Sequence, residues 1–101
     1  MLITEDVKKV IEGSAFVGVI TVGADGNPHP IVIGKGEVDG DNVLFGIYKM
    51  ETTQANLAAN SNVWVIAATM DEGPKGVRLS GTATVDDKQV IFTTSKVEEL
   101  I

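Results

Sequence analysis

The chain has 101 residues, enough for one hydrophobic core, so we predict a single domain over residues 1–101. It contains no cysteine and only one histidine, which excludes thiol catalysis and disulfides and argues against a metal centre. Its net charge of −6, with scattered basic residues, argues against binding to nucleic acid or to anionic membranes. With no signal-peptide pattern and no apolar run of membrane-spanning length, we expect a cytoplasmic protein.

The first half of the chain predicts a short helix followed by a meander of three strands. Thr4 is a candidate N-cap for a helix that ends at Gly13, and Glu5 and Asp6 suit the positive end of its dipole. Runs of β-branched residues, separated by turns rich in glycine, aspartate and asparagine, indicate the strands. We predict these strands at residues 15–22, 31–33 and 43–48.

The second half predicts one helix and three further strands. The helix follows Met50, with Thr52 or Thr53 as its N-cap, and residues 60–62 end it. Gly81 interrupts the middle strand of the three and predicts a bulge or a bend there. We predict these strands at residues 63–69, 77–85 and 89–94.

The end of the chain and the number of strands complete the predicted fold. Ser95 and Glu98 have capping-box spacing, which predicts about one turn of helix after the last strand. Six short strands with one helix between the third and the fourth cannot bury one face as a flat sheet of this size. Closure into a barrel solves that problem.

Side chains that could act as nucleophiles or bases are scarce. His29 lies between Pro28 and Pro30 without a serine in local register, so we interpret it as a turn-to-strand residue with an exposed ring. The paired aspartates lie at hairpin ends, where they satisfy backbone donors. The glycines on either side of Lys35 lack the spacing of a Walker loop or a dinucleotide fingerprint. The sequence therefore predicts no catalytic side chain.

One junction between a strand and a helix carries more information. Residues 48–57 bring two threonine hydroxyls, Lys49 and the backbone amides of a helix start to one place. Such a place binds phosphate readily. The alternative is that Thr53 only caps its own helix, and capping threonines are the commoner case.

Five segments, in this order and spacing, resemble one known family. They are Phe16-Val17-Gly18-Val19-Ile20-Thr21, Asp25-Gly26-Asn27-Pro28-His29, the segment from Met50 to Leu57, Asn60-Ser61-Asn62-Val63, and Leu79-Ser80-Gly81-Thr82-Ala83. Together they resemble the FMN-binding split barrels related to pyridoxamine 5'-phosphate oxidase, and especially the small flavin-binding proteins among them. The resemblance implies a mainly β fold, a six-stranded split β-barrel with a short N-terminal helix and a helix between the third and fourth strands.

The resemblance also implies a cofactor site for FMN, shared between the two subunits of a homodimer. Thr52 and Thr53 then lie at the phosphate, and the backbone of the second strand faces the isoalloxazine ring. Relatives usually place lysine or arginine where this chain has Thr52, so Lys49 or Lys35 would have to supply the positive charge. The remaining cofactor-binding residues that the resemblance implies are Val32, Ile33, Gly34, Gly46, Ile47, Tyr48 and Met50.

Three functions stay open at this point. They are an FMN-dependent redox or electron-transfer protein, a non-enzymatic flavin- or nucleotide-binding module, and a dimeric scaffold without cofactor. A deazaflavin is disfavoured because its acidic tail would meet an acidic protein, and pyridoxamine phosphate oxidation is disfavoured because Arg78 is the only arginine. For the homodimer we expect Trp64 to face outward at the interface, together with the apolar tail at Leu100 and Ile101.

Overall fold

The computed structural model describes residues 1–46 and 50–101. Helix α1 covers Glu5–Gly13, and its N-cap Thr4 accepts a hydrogen bond from the backbone N of Val7 at 3.3 Å, as the sequence predicts. The buried face of α1 consists of Val7, Val10 and Ile11. Neither helix in the described part of the chain is long and apolar enough to cross a membrane.

All the strands of the described residues belong to one antiparallel sheet. They are β1 (Val17–Val22), β2 (Pro28–Ile33), β3 (Glu37–Asp39), β4 (Asn42–Gly46), β5 (Asn62–Thr69), β6 (Lys75–Asp86) and β7 (Gln89–Glu99), and helix α2 (Glu51–Ala59) lies between β4 and β5. The order in the sheet is β2-β1-β5-β6-β7-β4-β3. Within residues 1–46 and 50–101, strands β2 and β3 form the two edges and do not pair with each other, so the barrel is split, and the predicted mainly β class is confirmed.

The strands bury alternate side chains, and this alternation separates an inner from an outer face. On β1 the buried residues are Val17, Val19 and Thr21, and on β5 they are Val63, Val65 and Ala67. The apolar side chains among them pack with Ile11 of α1 in one core. The outer face of the same two strands carries Gly18, Ile20, Trp64 and Ile66, so Trp64 faces outward as predicted.

Seven strands are present in the described residues, one more than the sequence predicts. The additional strand, β3, forms a tight hairpin with β4 around Gly40, whose φ is +61°. Its three residues contain a single apolar side chain, Val38, which is too little to show the alternation that identifies a strand.

The C-terminal segment is strand rather than the predicted turn of helix. Strand β7 continues to Glu99, because β6 offers it a pairing edge as far as the pair of Val77 with Glu99. Ser95 donates a hydrogen bond to the carbonyl oxygen of Ser80 at 2.9 Å instead of capping a helix. The pairing shifts register between Ser80 and Gly81, which confirms the bulge predicted at Gly81.

Candidate functional site

A groove of about 380 Å³ lies between strand β2 and the start of helix α2. We call it the β2–α2 groove. Its lining consists of His29, Ile31, Val32, Met50, Glu51, Thr52 and Thr53. Strand β2 is an edge of the sheet, so this groove is open on one side along the strand.

Two prolines determine how strand β2 presents its groove residues. Pro28 and Pro30 have no N–H, so their backbone must point away from β1, towards the free edge. The backbone N–H and C=O groups of successive residues point to opposite sides of a strand. Those of Val32 therefore also point to the free edge, whereas those of His29 face β1. The side chain of His29 shares a face with Ile31 and is half-buried, and Val32 is 68% exposed. Among the described residues the backbone groups of Val32 at this edge therefore have no strand to pair with.

The start of helix α2 differs from the prediction that Thr52 or Thr53 is its N-cap. The helix begins at Glu51 and its N-cap is Met50, which makes no side-chain capping bond because it has no hydroxyl or carboxylate oxygen. Both threonines are inside the first turn, where Thr52 is exposed and Thr53 is buried. The first helical bond runs from the N of Gln54 to the O of Met50 at 2.8 Å, so the three preceding amides have no acceptor within the helix.

A buried polar pair attaches helix α2 to strand β1. The Nδ2 atom of Asn56 donates a hydrogen bond to the Oγ1 atom of Thr21 at 3.0 Å, and both residues are buried. Asn56 follows Thr53 and Thr52 by three and four residues, so the three side chains share one helix face. Thr21 pairs directly with His29 across the sheet. This pair therefore fixes the first turn of α2 relative to His29.

The other predicted cofactor-binding residues do not all lie in the β2–α2 groove. The side chain of Ile33 is buried in the core, and a Cβ added at Gly34 would meet no atom within 4 Å. Lys35 and Gly46 line a second groove of about 630 Å³. Its remaining lining residues are Glu12, Gly36, Glu37, Leu44, Phe45, Lys88 and Gln89. The predicted residues Ile47, Tyr48 and Lys49 lie outside the described residues.

The charges near the β2–α2 groove are few. Among its described lining residues Glu51 is the one acid, and His29 is the one side chain that can carry a positive charge. Arg78 is held on the outer face, where it makes two hydrogen bonds to Glu98, at 3.3 and 3.1 Å. These bonds lower the pKa of the Glu98 carboxyl, so this partner of Arg78 stays ionised.

Sequence reasoning missed three residues of the groove, namely His29, Ile31 and Glu51. The signal for His29 was available, because a proline on each side requires an extended edge strand that already begins at Pro28. Counting alternation from Pro28 places His29 and Ile31 on the same face. The structure corrects the interpretation of His29 as an exposed turn residue, since it is half-buried within β2.

The family is shown by a match over nearly the whole chain. The family model described as pyridoxamine 5'-phosphate oxidase matches residues 3–99. The chain belongs to this family. No curated protein matches the chain significantly.

Solved structures similar to this member of the pyridoxamine 5'-phosphate oxidase family share its fold at low sequence identity. HupZ from Group A Streptococcus has a TM-score of 0.82 and 19% identity, over 96% of this chain and 93% of HupZ. An FMN-binding protein from Syntrophomonas wolfei has a TM-score of 0.79 and 14% identity, over 93% of this chain and 83% of that protein. An F420 reductase has a TM-score of 0.75 and 12% identity, over 90% of this chain and 94% of the reductase. These similarities establish the split-barrel fold.

The donor set of the β2–α2 groove suits an anion better than it suits side-chain catalysis. It combines two threonines, an imidazole and the first-turn amides of a helix, which are the groups that proteins use to hold phosphate. The described lining has no serine or cysteine that His29 could activate as a nucleophile. Within residues 1–46 and 50–101 no group of three acidic or histidine side chains is arranged to hold a metal ion. Any redox chemistry at this site would have to come from a bound cofactor.

Proposed function

We propose that this protein binds FMN with the phosphate in the β2–α2 groove and acts as a small flavin redox or electron-transfer protein. The observation that carries the proposal is the groove itself, which is lined by the first residues of α2 together with residues of the edge strand β2. Membership of the family and the fold shared with an FMN-binding protein from Syntrophomonas wolfei support the choice of cofactor. When bound, FMN supplies the electron or hydride transfer, so no catalytic side chain is needed.

The residues of the groove fit the parts of FMN in different ways. Thr52 and the first-turn amides supply donors for the phosphate, and the negative charge is favoured by the positive end of the helix dipole. The free backbone edge at Val32 offers a donor and an acceptor to the polar edge of the isoalloxazine ring. Gly34 adds to this surface, because it has no side chain and open space around its Cα.

Replacing Thr52 with lysine tests the phosphate placement. Thr52 is exposed at the start of α2, so a lysine fits there and adds a charge-assisted hydrogen bond to the phosphate. Such a bond contributes about 1.5–3 kcal/mol, so FMN should bind roughly tenfold tighter or more. Quenching of flavin fluorescence during titration measures the affinity, and riboflavin, which has no phosphate, is the matched ligand whose affinity should not change.

The same titration separates the proposed function from its alternative, a dimeric scaffold without cofactor. The acid Glu51 in the groove and the absence of lysine and arginine from its described lining favour that alternative. A wild-type protein that binds neither FMN nor riboflavin would support the scaffold. If a folded Thr52→Lys variant bound FMN with unchanged affinity, the phosphate would have to bind at another place.

We also propose that two copies of the chain associate through the outer face of β2, β1 and β5. The register places Val32, Gly18 and Ile66 in one row across these strands, and Pro30, Ile20 and Trp64 in the next. Phe16 extends this apolar surface and is 67% exposed. The surface carries no charge in these two rows, which suits a second copy of an acidic chain better than a charged partner. Val32 belongs both to this face and to the groove, so the interface would border the flavin.

Replacing Phe16 with aspartate is expected to convert the dimer to a monomer. Phe16 is exposed in the single chain, so its replacement should leave the fold intact. In the dimer, however, the new carboxylate would be buried in an apolar interface without a partner, which is unfavourable. Sedimentation velocity at micromolar concentration measures the change. The matched control is Val85→Asp, since Val85 is also exposed but lies outside the two rows. A monomeric wild-type protein, or a dimeric Phe16→Asp variant, would contradict this interface.

A further inference from the structure

The proposed function does not say which residue of the β2–α2 groove balances the negative charge of the phosphate. A phosphate there meets the carboxylate of Glu51, and no lysine or arginine is among the described lining residues. Lys35, one of the two candidates from the sequence, lines the second groove together with Glu12 and Glu37 rather than this one. Lys49, the other candidate, lies outside the described residues, and among the described lining of the β2–α2 groove His29 is the one side chain that can supply a positive partner.

His29 is held at the place where such a partner is needed. Pro28 and Pro30 orient the strand so that the backbone of His29 faces β1 and its ring lies on the groove side with Ile31. Its direct cross-strand neighbour is Thr21, and paired residues place their side chains on the same face about 5 Å apart.

The contact between Thr21 and Asn56 then connects His29 to the start of helix α2. Asn56 shares its helix face with Thr52 and Thr53, and its 3.0 Å bond to Thr21 fixes that face against the strand. The imidazole and the donors of the first turn thus line the same groove of about 380 Å³. The buried hydrogen bond between Asn56 and Thr21 connects the two sides of this groove. An exposed lysine in a loop would not be held in place in this way.

We propose that His29 recognises the phosphate group of the ligand and gives the groove its preference for a phosphorylated over an unphosphorylated flavin. The inference rests on the proposed function. An imidazole N–H donates a hydrogen bond to a phosphate oxygen.

The test compares FMN with riboflavin in variants of His29. His29→Phe keeps a ring of similar size and removes both nitrogen atoms, so FMN should bind about tenfold weaker or more while riboflavin binds as before. His29→Lys returns an N–H donor to this position and should restore the preference for FMN. Lys88→Gln removes one positive charge from a residue of the second groove and should leave the preference unchanged.

Four outcomes would overturn the inference. An equal loss for both ligands in His29→Phe would mean that the ring only supports the fold or packs on the flavin. Unchanged FMN affinity would leave His29 without a role, and loss of the preference in Lys35→Gln instead would assign the charge to Lys35. Binding of neither flavin by the wild-type protein would remove the proposed function and this inference with it. Thermal unfolding confirms that each variant is folded, and His29→Gln serves if the phenylalanine variant is not.

Discussion

Replacing Gly81 with alanine is expected to destabilise the domain by about 3 kcal/mol or more, one of the two largest effects we expect. A Cβ at this position would overlap the carbonyl oxygen of Thr93 and lie 2.9 Å from its carbonyl carbon and 3.0 Å from Cζ of Phe92. The first two atoms are backbone of the neighbouring strand, so they cannot move without breaking the pairing at the bulge. For a domain of this size the loss corresponds to a fall of roughly 12 °C or more in the melting temperature.

The matched control for this substitution is Gly34→Ala. A Cβ added at Gly34 meets no atom within 4 Å, and its φ does not lie in the left-handed region. Its melting temperature should stay close to that of the wild-type protein or rise slightly, because alanine lowers the entropy of the unfolded chain. Thermal unfolding followed by circular dichroism measures both variants. A Gly81→Ala variant that melts within about 2 °C of the wild-type protein would contradict the close approach at the bulge.

The parts of the fold that could be predicted from the sequence are those whose signal is local. Strand β1 and strand β5 have the β-branched residues and the alternation that mark a half-buried strand. Helix α1 has its capping threonine, two acidic residues in the first turn and a terminal glycine. Gly81 predicts a bulge because a glycine inside a strand indicates a close approach of backbone.

The parts that could not be predicted depend on a partner distant in the sequence. Residues 95–99 have a capping-box pattern, and they become strand only because β6 offers them a pairing edge. The short strand β3 exists because β4 pairs with it and not because of its own composition. Helix α2 has no capping side chain, so its first residue follows from its packing on β1 rather than from Thr52 or Thr53.

In the candidate site, too, some features have a local sequence signal and others depend on residues distant in the sequence. The start of α2 is predicted as a candidate phosphate-binding place from its threonines and amides alone. The place of His29 in the groove was predictable only in part, since the alternation of β2 can be counted from Pro28 whereas the pairing of His29 with Thr21 has no local signal. The separation of Lys35 into a second groove follows from the path of the chain between β2 and β3, for which the sequence has no signal.

The contact between Thr21 and Asn56 joins two residues that are 35 positions apart in the sequence, and its removal is the second large effect that we expect. Thr21→Val keeps the shape of the side chain but leaves the amide of Asn56 buried without its acceptor. A buried unsatisfied group costs about 1–3 kcal/mol, which should appear as a lower free energy of unfolding in urea. The control is Thr84→Val, the same change at an exposed strand position, which should stay within about 0.5 kcal/mol of the wild-type protein.

The double variant Thr21→Val with Asn56→Leu shows whether this loss comes from the hydrogen bond. Replacing both partners by apolar groups leaves no buried donor, so the double variant should be less destabilised than the sum of the two single variants, by about 0.5–3 kcal/mol. Strictly additive losses would contradict a direct bond between the two side chains. Because the same contact fixes the first turn of α2 against His29, Thr21→Val should also weaken FMN binding more than riboflavin binding, even at temperatures where the protein is fully folded. Equal weakening of both ligands would mean that the contact supports the fold of the domain without positioning the phosphate site.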